Sequence, residues 1–322
     1  MDPRAAKRVF FVCLIFFLCM GIGANAQAKF PDKRITWNVT FKAGGGTDGC
    51  FRVIAKHAEK ALGQTIVIKN ITGGGGSVGW AEFKKAKPDG YTLSNINLPH
   101  HTIHPLTRDA GYHWTDFEQI CIFVTDEVAW YIANDSPFKT WEDLYKSIKE
   151  NPGKVIFGIS NYFTQLDLIV LMFEDLAGVK VQRVPLGGGA GVKTGVLGRH
   201  VQVGSSSTSG TYRIRDEVRV LLTAGEKRSY QFPDVPTFKE KGFDIVIGAT
   251  RGFIAPKGIP QDRLKFWREF FKKLFKDEAL LEDLKKAGYP IEHRNHYQLL
   301  KQIATDEYKF REILRKRELL RK

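Results

Sequence analysis

The chain has 322 residues, of which 43% are hydrophobic and 12% aromatic, and its formal net charge is +14. This composition supplies enough apolar material for one large or two moderate packed domains, and it excludes a largely disordered protein. The basic residues are dispersed among acidic ones and no stacked-aromatic motif accompanies them, so we expect no nucleic-acid partner.

The first 28 residues have the pattern of a secretory signal peptide. They contain three basic residues near their start, continue with an apolar run over residues 9–20, and end in a stretch at 24–28 whose alternating alanines offer small-residue cleavage sites. The apolar run is shorter than a membrane span normally is, although an uncleaved membrane anchor is the alternative. We therefore expect an exported mature protein that begins near Lys29.

A strand is predicted over residues 35–41, and a glycine-rich loop and a helix follow it directly. Five residues of this loop and of the first helical turn are candidates to contact a ligand: Gly44, Gly45, Gly46, Thr47 and Asp48. Glycine lets the backbone approach a ligand closely, and the bare N–H groups and dipole of a helix start attract an anion. The pattern therefore predicts a carboxylate or phosphate site with Asp48 able to cap the helix; a tight turn without a ligand is the alternative.

A second loop of the same kind follows the strand predicted over residues 65–69, and its candidates are Gly75, Gly76 and Ser77. Two such loops, about thirty residues apart, would lie side by side at the carboxyl edge of a parallel sheet, where α/β proteins bind ligands. The glycine spacing here also satisfies the dinucleotide fingerprint, but no acidic residue ends a following strand in the expected place. We therefore predict an anion site without a nucleotide cofactor.

The histidines and cysteines of the mature chain do not indicate a metal or redox centre. The surroundings of His100, His101 and His104 are typical of a loop, and no acidic or cysteine partner lies nearby at the spacing of a metal site. We therefore predict no metal there. Cys50 and Cys121 are expected to be two separate buried thiols, with a disulfide between them as the alternative.

The middle third of the chain alternates strands with helices. Its predicted elements are strands over residues 117–124, 128–133, 155–159, 181–185 and 201–203 and a helix over residues 140–150. Ser160 and Thr164 lie in a small polar loop that precedes another helix. Alternation of this kind predicts a second parallel-sheet domain.

The last part of the chain is predicted to contain two strands over residues 244–247 and 252–255, around Thr250 and Arg251, and then two amphipathic helices. No nucleophile elbow occurs and no local motif ties a serine to a histidine base, so we predict no enzyme activity. From its residues alone, the chain is predicted to be an exported α/β protein that binds a small anion between two domains.

Several stretches taken together resemble the periplasmic substrate-binding receptors of tripartite tricarboxylate transporters. In chain order they cover residues 41–48, 70–79, 86–93, 233–237 and 255–260, and the likeness extends along nearly the whole mature chain. The resemblance implies a two-domain periplasmic-binding-protein-like fold of type II, with the ligand cleft between the domains. It also implies a periplasmic protein that takes an organic acid to the membrane permease subunits of such a transporter, without a cofactor, and we expect a monomer.

The resemblance also implies domain boundaries and ligand contacts. Domain I would comprise residues 29–127 and 250–322, domain II residues 128–249, and residues 1–28 would be the signal peptide. In that family the first two glycine loops hold one carboxylate of the ligand, partly through ordered waters. Carried over, this implies contacts from the following residues: Gly44, Gly45, Thr47, Asp48, Gly75, Gly76 and Ser77.

The far side of the predicted pocket departs from the family pattern. The loop with Ser160 and Thr164 is followed by Asp167, whereas the family usually has a histidine there, and Ser206 stands where an aspartate is common. Arg251 takes a place that an aromatic residue often fills. The predicted contacts on this side are Ser160, Thr164, Ser206 and Arg251. Asp167 either faces the pocket or turns outward from the first turn of its helix.

The identity of the carboxylate is left open by the sequence, and two other functions remain as alternatives. A sensory binding module would present the same closed form to a signalling receptor instead of a permease. A periplasmic enzyme acting on a carboxylate would require turnover, and no residues are arranged to provide it.

Overall fold

The computed structural model describes residues 30–321, and the predicted signal peptide therefore lies outside the described residues. Ten strands in the described part of the chain belong to one mixed sheet. They are β1 (Ile35–Val39), β2 (Ile66–Asn70), β3 (Thr92–Leu98), β4 (Phe117–Ala133), β5 (Ile156–Ile159), β6 (Gln182–Pro185), β7 (Val203–Ser207), β8 (Val218–Thr223), β9 (Gly248–Pro256) and β10 (Ile291–Asn295). Their order is β2-β1-β3-β9-β4-β7-β5-β6, and β8 and β10 also pair with β4.

Ten α-helices accompany these strands within residues 30–321. They are α1 (Gly46–Leu62), α2 (Ser77–Phe83), α3 (His100–Thr107), α4 (Trp141–Glu150), α5 (Gln165–Ala177), α6 (Gly189–Leu197), α7 (Thr208–Tyr212), α8 (Gln261–Leu274), α9 (Glu278–Lys286) and α10 (His296–Lys316). Short 3₁₀ turns lie at Gly74–Gly76, Trp114–Asp116 and Lys239–Lys241. No helix in the described residues has both the length and the apolar character needed to cross a membrane.

The central element of the sheet is β4, a single strand of 17 residues. Its first part pairs antiparallel with β9 and β10, and its last part, from Val128, pairs antiparallel with β7 and β8. Two separate strands were predicted here, and that prediction is wrong. The polar residues Thr125 and Asp126 stay extended because they pair with Thr250 and Ala249 of β9.

Two sets of parallel strands lie on either side of β4 and its neighbour β9. In the first sheet half, β1 pairs in parallel with β2 and β3; in the second sheet half, β5 pairs in parallel with β6 and β7. The predicted parallel strands are therefore confirmed in both halves. Since parallel strands end at the same edge, the loops that follow β1 and β2 emerge next to each other.

Aromatic cores fix the helices against each sheet half. Trp37 of β1 is fully buried, with its ring centroid 4.7 Å from that of Phe253 in β9 and 6.1 Å from that of Phe51 in α1. Trp130 of β4 has the ring of Phe157 at 4.6 Å and that of Phe173 at 5.1 Å. Burial of each such side chain stabilises the fold by roughly 1.5–3 kcal/mol. The contact between Trp37 and Phe51 holds α1 against the first sheet half.

The three histidines predicted to lie in a loop belong instead to helix α3. The prediction is wrong because prolines near both ends of this stretch were taken to break a helix. Pro105 lies inside α3, where it cannot donate to the carbonyl of His101. The hydroxyl of Tyr112 donates to that carbonyl at 3.3 Å, so the helix continues without an unsatisfied acceptor.

Other local predictions have mixed outcomes. The helix predicted over residues 140–150 is α4, and the Thr140 side chain caps it by accepting from the backbone N–H of Asp143. Residues 244–247 are not a strand, since β9 begins at Gly248. The two predicted C-terminal helices are α8 and α10, while α9, which Asp277 caps, was not predicted. The predicted domain boundaries stay a prediction.

Candidate functional site

The first glycine loop is held in shape by Asp48. Its carboxylate is almost fully buried and accepts from the backbone N–H of Gly44 at 2.8 Å, from Arg52 Nε at 2.8 Å and from Asn70 Nδ2 at 2.9 Å. Burial acts to raise the pKa of this carboxyl, but the hydrogen bonds from Arg52, Asn70 and Gly44 leave the pKa below its ordinary value. Asp48 therefore stays ionised and ties the loop to the end of β2.

The second glycine loop needs its glycines to pack against the helices beside it. Gly75 and Gly76 have φ angles of +67° and +104°, a region that other residues rarely adopt. A Cβ on Gly75 would lie 2.9 Å from Cε1 of His104, and one on Gly76 would lie 2.7 Å from the ring of Trp80. The Ser77 hydroxyl donates to the carbonyl of Gly74 at 2.9 Å.

Two buried amides of β3 support the first glycine loop. Asn95 Oδ1 accepts from the backbone N–H of Thr40 at 2.8 Å, and Asn95 Nδ2 donates to Asn97 Oδ1 at 2.9 Å. Asn97 Nδ2 in turn donates to the Thr47 hydroxyl at 2.9 Å. The sequence analysis did not identify these residues, although polar side chains at alternate positions of a buried strand were a usable signal.

Arg251 lies beside the first glycine loop. Its Nε donates to the Thr47 hydroxyl at 3.3 Å, and a Cβ on Gly46 would lie 3.4 Å from its Nη2. The sequence analysis predicted it on the far side of the pocket, but its position on β9 opposite Asn97 brings it next to Thr47. The buried Arg251 guanidinium and the N–H groups at the start of α1 therefore lie next to each other.

Asp126 connects this part of the site to the second sheet half. Its carboxylate is fully buried and lies 3.4 Å from Arg251 Nη1. It also accepts from the Thr208 hydroxyl at 3.1 Å and from both the backbone N–H and the hydroxyl of Ser209. A continuous series of hydrogen bonds therefore runs from Asn95 to the start of α7.

The candidates of the second sheet half form two smaller groups. The hydroxyls of Ser160 and Thr164 are 3.2 Å apart before α5. Ser206 is 7% exposed, and a Cβ on Gly189, at the start of α6, would lie 3.7 Å from its hydroxyl oxygen. Within the described residues, no hydrogen bond links Ser160, Thr164 or Ser206 to the first two glycine loops. Their contact with a ligand stays a prediction.

Asp167 takes neither of the two positions considered for it. Its carboxylate is fully buried, accepts from the backbone N–H of Phe163 at 2.9 Å and forms an ion pair with Arg183. Burial raises the pKa of this carboxyl, against the lowering effect of the Arg183 charge. The side chain therefore points into the protein and its charge is matched there.

His100 is a buried polar residue near Arg251 that the sequence analysis did not assign to the site. It follows β3 directly, is 7% exposed, and its Nδ1 has no hydrogen-bond partner among the described residues. Burial, with the charges of Arg251 and Arg108, lowers its pKa to about 4, so the ring is neutral at pH 7. Within residues 30–321, no group of three or more acidic, histidine or cysteine side chains is placed to hold a metal.

Cys50 and Cys121 are separate buried thiols, as expected. Burial raises the pKa of Cys50 to about 12 and also raises that of Cys121, so neither is a thiolate at neutral pH. Neither thiol therefore takes part in the candidate site as a charged group.

Comparison with known proteins places this architecture in one family. A family model described as "Tripartite tricarboxylate transporter family receptor" matches residues 50–319. The "UPF0065 protein in gbd 5'region" of Cupriavidus necator is 32% identical over 298 residues, which cover 91% of this chain and 90% of that protein.

Solved structures show the same fold. A TctC solute-binding protein from Polaromonas is 26% identical with a TM-score of 0.76, over 89% of this chain and 99% of that one. Rpa4515 of R. palustris, solved with adipate, is 21% identical with a TM-score of 0.80, over 89% and 97% of the two chains. MatC of Rhodopseudomonas palustris, solved with malate, is 21% identical with a TM-score of 0.76, over 88% and 100%. The predicted α/β fold of periplasmic binding proteins is thereby confirmed.

Proposed function

The chain belongs to the tripartite tricarboxylate transporter receptor family, and on that premise we propose that it captures a small carboxylate in the periplasm and delivers it to the permease subunits of such a transporter. It is then a solute-binding receptor and not an enzyme. The observation that supports this best is the position of Arg251, which is 6% exposed and lies against Gly46 of the first glycine loop. A desolvated guanidinium beside bare backbone N–H groups favours a carboxylate.

The affinity for the carboxylate would come from three sources. These are the N–H groups at the start of α1, the second glycine loop, and the Arg251 guanidinium. Micromolar binding corresponds to roughly 8 kcal/mol, and a hydrogen bond to a charged group contributes about 1.5–3 kcal/mol. A few such contacts therefore account for much of the affinity of a micromolar receptor.

A dicarboxylate is the ligand class that the surrounding charges favour. The charge of Asp167 is matched by Arg183, so it does not oppose a second ligand carboxylate. The Ser206 hydroxyl and the start of α6 offer donors for that second group in the other sheet half. Two proteins of the same fold were solved with adipate and with malate, and both of these ligands are dicarboxylates.

Calorimetric titration with a panel of mono-, di- and tricarboxylates tests the proposed ligand class. We expect the dicarboxylates to bind most tightly, and Arg251→Gln to weaken their binding at least about tenfold, because one charge-assisted contact is lost. Arg228→Gln is the matched control, since Arg228 is exposed and pairs with Glu240. If Arg251→Gln folds and binds the preferred acid as tightly as the parent, Arg251 is not in the site.

Export and delivery need their own measurements. N-terminal sequencing of periplasmic material should find a chain that begins near Lys29, and an intact Met1 would contradict export with cleavage. Pull-down of membrane proteins with the liganded form should recover permease subunits. Recovery of a signalling receptor instead would favour the sensory alternative, and turnover of the bound acid would favour an enzyme.

A further inference from the structure

A surface cavity of about 740 Å³ lies apart from the glycine loops, between α8, β10 and the start of α10. Its floor is apolar and is formed by Ile120, Cys121 and Phe275, each of which is buried. Its wall carries Asn295 and Gln298, which cap α10 by exchanging hydrogen bonds with each other. A concavity of this size is in the range of small-molecule sites, about 300–1,000 Å³.

The rim of this cavity is strongly positive. Lys265, Arg268, Lys272 and Lys276 line it, and their spacing of three and four residues puts them on one face of α8 and its extension. Glu269 is the one acidic residue in the lining, and it lies 3.7 Å from Lys272. With the histidines neutral, the lining therefore has a net charge of +3.

Several other basic side chains near the end of the chain are paired with carboxylates. In α10 and beyond, Arg311, Arg315 and Arg317 each lie within 3 Å of a carboxylate oxygen. By contrast, Lys265, Arg268 and Lys276 have no carboxylate within 4 Å among residues 30–321. A cation at a helix C-terminus stabilises the dipole, which accounts for Lys272 and Lys276, but Lys265 and Arg268 lie before the last turn of α8.

Burial and the positive charge of this rim both lower the pKa values of the two histidines that line the cavity. Burial, and then the charges of Lys272 and Lys276, lower the pKa of His293; burial and the charge of Arg268 lower that of His296. The guanidinium of Arg268 is held in place, since its Nε and Nη2 donate to the carbonyl of Gln119 at 3.1 and 2.9 Å. The dipole of α10, whose first turn borders the cavity, adds further positive potential.

We propose that this cavity is a second binding site, for an organic anion that carries two or more negative charges on an apolar body. The apolar floor would cover the body of the ligand, and the unmatched cations of α8 would pair with its charges. The site shares none of the candidate residues of the glycine loops and does not depend on the ligand bound there.

Benzene-1,3,5-tricarboxylate is a suitable probe because it has three charges around an apolar ring. Calorimetric titration at low salt should show that this probe binds more tightly than benzoate, which has one charge, and more tightly than pyrophosphate, which has no apolar body. In the double variant Lys265→Gln/Lys276→Gln we expect about tenfold weaker binding, because each exposed charge contributes only a few-fold on its own. Lys273→Gln is the matched control, since Lys273 is exposed on α8 but does not line the cavity.

Arg251→Gln separates this site from the glycine-loop site. We expect it to leave binding of the probe within about twofold of the parent. Absence of probe binding at millimolar concentration, equal binding by the double variant, or loss of binding in folded Arg251→Gln would each overturn the proposal. Circular dichroism should show that the double variant is folded, because both substituted lysines are exposed.

Discussion

Two buried carboxylates, Asp48 and Asp126, organise the candidate site without being free to meet a ligand. Asp48 accepts from three donors and Asp126 accepts from Thr208, Ser209 and Arg251. A buried charge is tolerated only when it is paired and hydrogen-bonded, and both residues meet that condition. Their contribution to binding is therefore to fix the donors that would hold a carboxylate.

Glu127, which follows Asp126 in β4, makes the stability of the protein depend on pH. Burial, and then the charges of Asp126 and Glu292, raise its pKa from 4.5 to about 7. The folded state therefore holds this proton more tightly than the unfolded state. The resulting stability is fully present below about pH 4.5 and is lost as the pH rises through 7.

We therefore expect Glu127→Gln to be more stable than the parent at pH 8, by about 1–3 kcal/mol, with a smaller difference at pH 5. Urea unfolding at both pH values measures this. Glu142→Gln is the control, because a hydrogen bond from Lys241 lowers the pKa of Glu142 and its loss should give no gain at pH 8. If the unfolding free energy of Glu127→Gln exceeds that of the parent by the same amount at pH 5 and at pH 8, or not at all, the raised pKa of Glu127 is contradicted.

At the scale of elements, the glycines of the two loops differ in the space that a side chain at each position would have. Gly44 has a φ of +76°, and a Cβ there would have no atom of residues 30–321 within 4 Å. Gly75 has a φ of +67°, and a Cβ there would lie 2.9 Å from Cε1 of His104. The sequence analysis had treated the second loop as open to a ligand, but its glycines are also needed for packing. A side chain at Gly75 therefore disturbs the fold as well as the site.

We expect Gly44→Ala to cost about 1–2 kcal/mol of unfolding free energy, which is the cost of a left-handed backbone alone. Gly75→Ala should cost clearly more, because the contact with His104 is added. Thermal and urea unfolding of the two variants measure the difference. Equal losses of unfolding free energy in the two variants would mean that the His104 ring in α3 moves away from the new methyl group at no cost in free energy.

The elements that could be predicted are those with local signals. The strand-to-helix glycine loops and the helix over residues 140–150 are encoded within a few residues, and they were predicted correctly. Helix α3 was missed because the acceptor left by Pro105 is satisfied by Tyr112, which is 11 residues from His101. The pairing of Thr125 with Thr250 in β9 and the ion pair between Arg251 and Asp126 each join residues 125 positions apart, and no local pattern indicates them.

At the scale of the whole molecule, the two sheet halves are joined by β4 and by the hydrogen bonds that cross it. Thr47 and Arg251 belong to the first half, Thr208 and Ser209 follow a strand of the second, and Asp126 lies between them. If the halves move relative to each other when a ligand binds, this series of contacts has to stay intact or be remade. The interaction energy between Asp126 and Arg251, the central pair of this series, therefore indicates how strongly the two halves are held together.

A double-mutant cycle measures that strength. Asp126→Asn leaves Arg251 buried without a negative partner, and Arg251→Gln leaves Asp126 without its cation, so each should cost about 3–5 kcal/mol. The double variant removes both charges together, and we expect its loss in urea unfolding to be smaller than the sum of the single losses by at least about 1 kcal/mol. Asp126→Asn combined with Arg183→Gln is the control, because Arg183 pairs with Asp167 and shares no partner with Asp126, so those losses should add. Additive losses for Asp126 and Arg251 as well would mean that the 3.4 Å pair does not hold the two halves together.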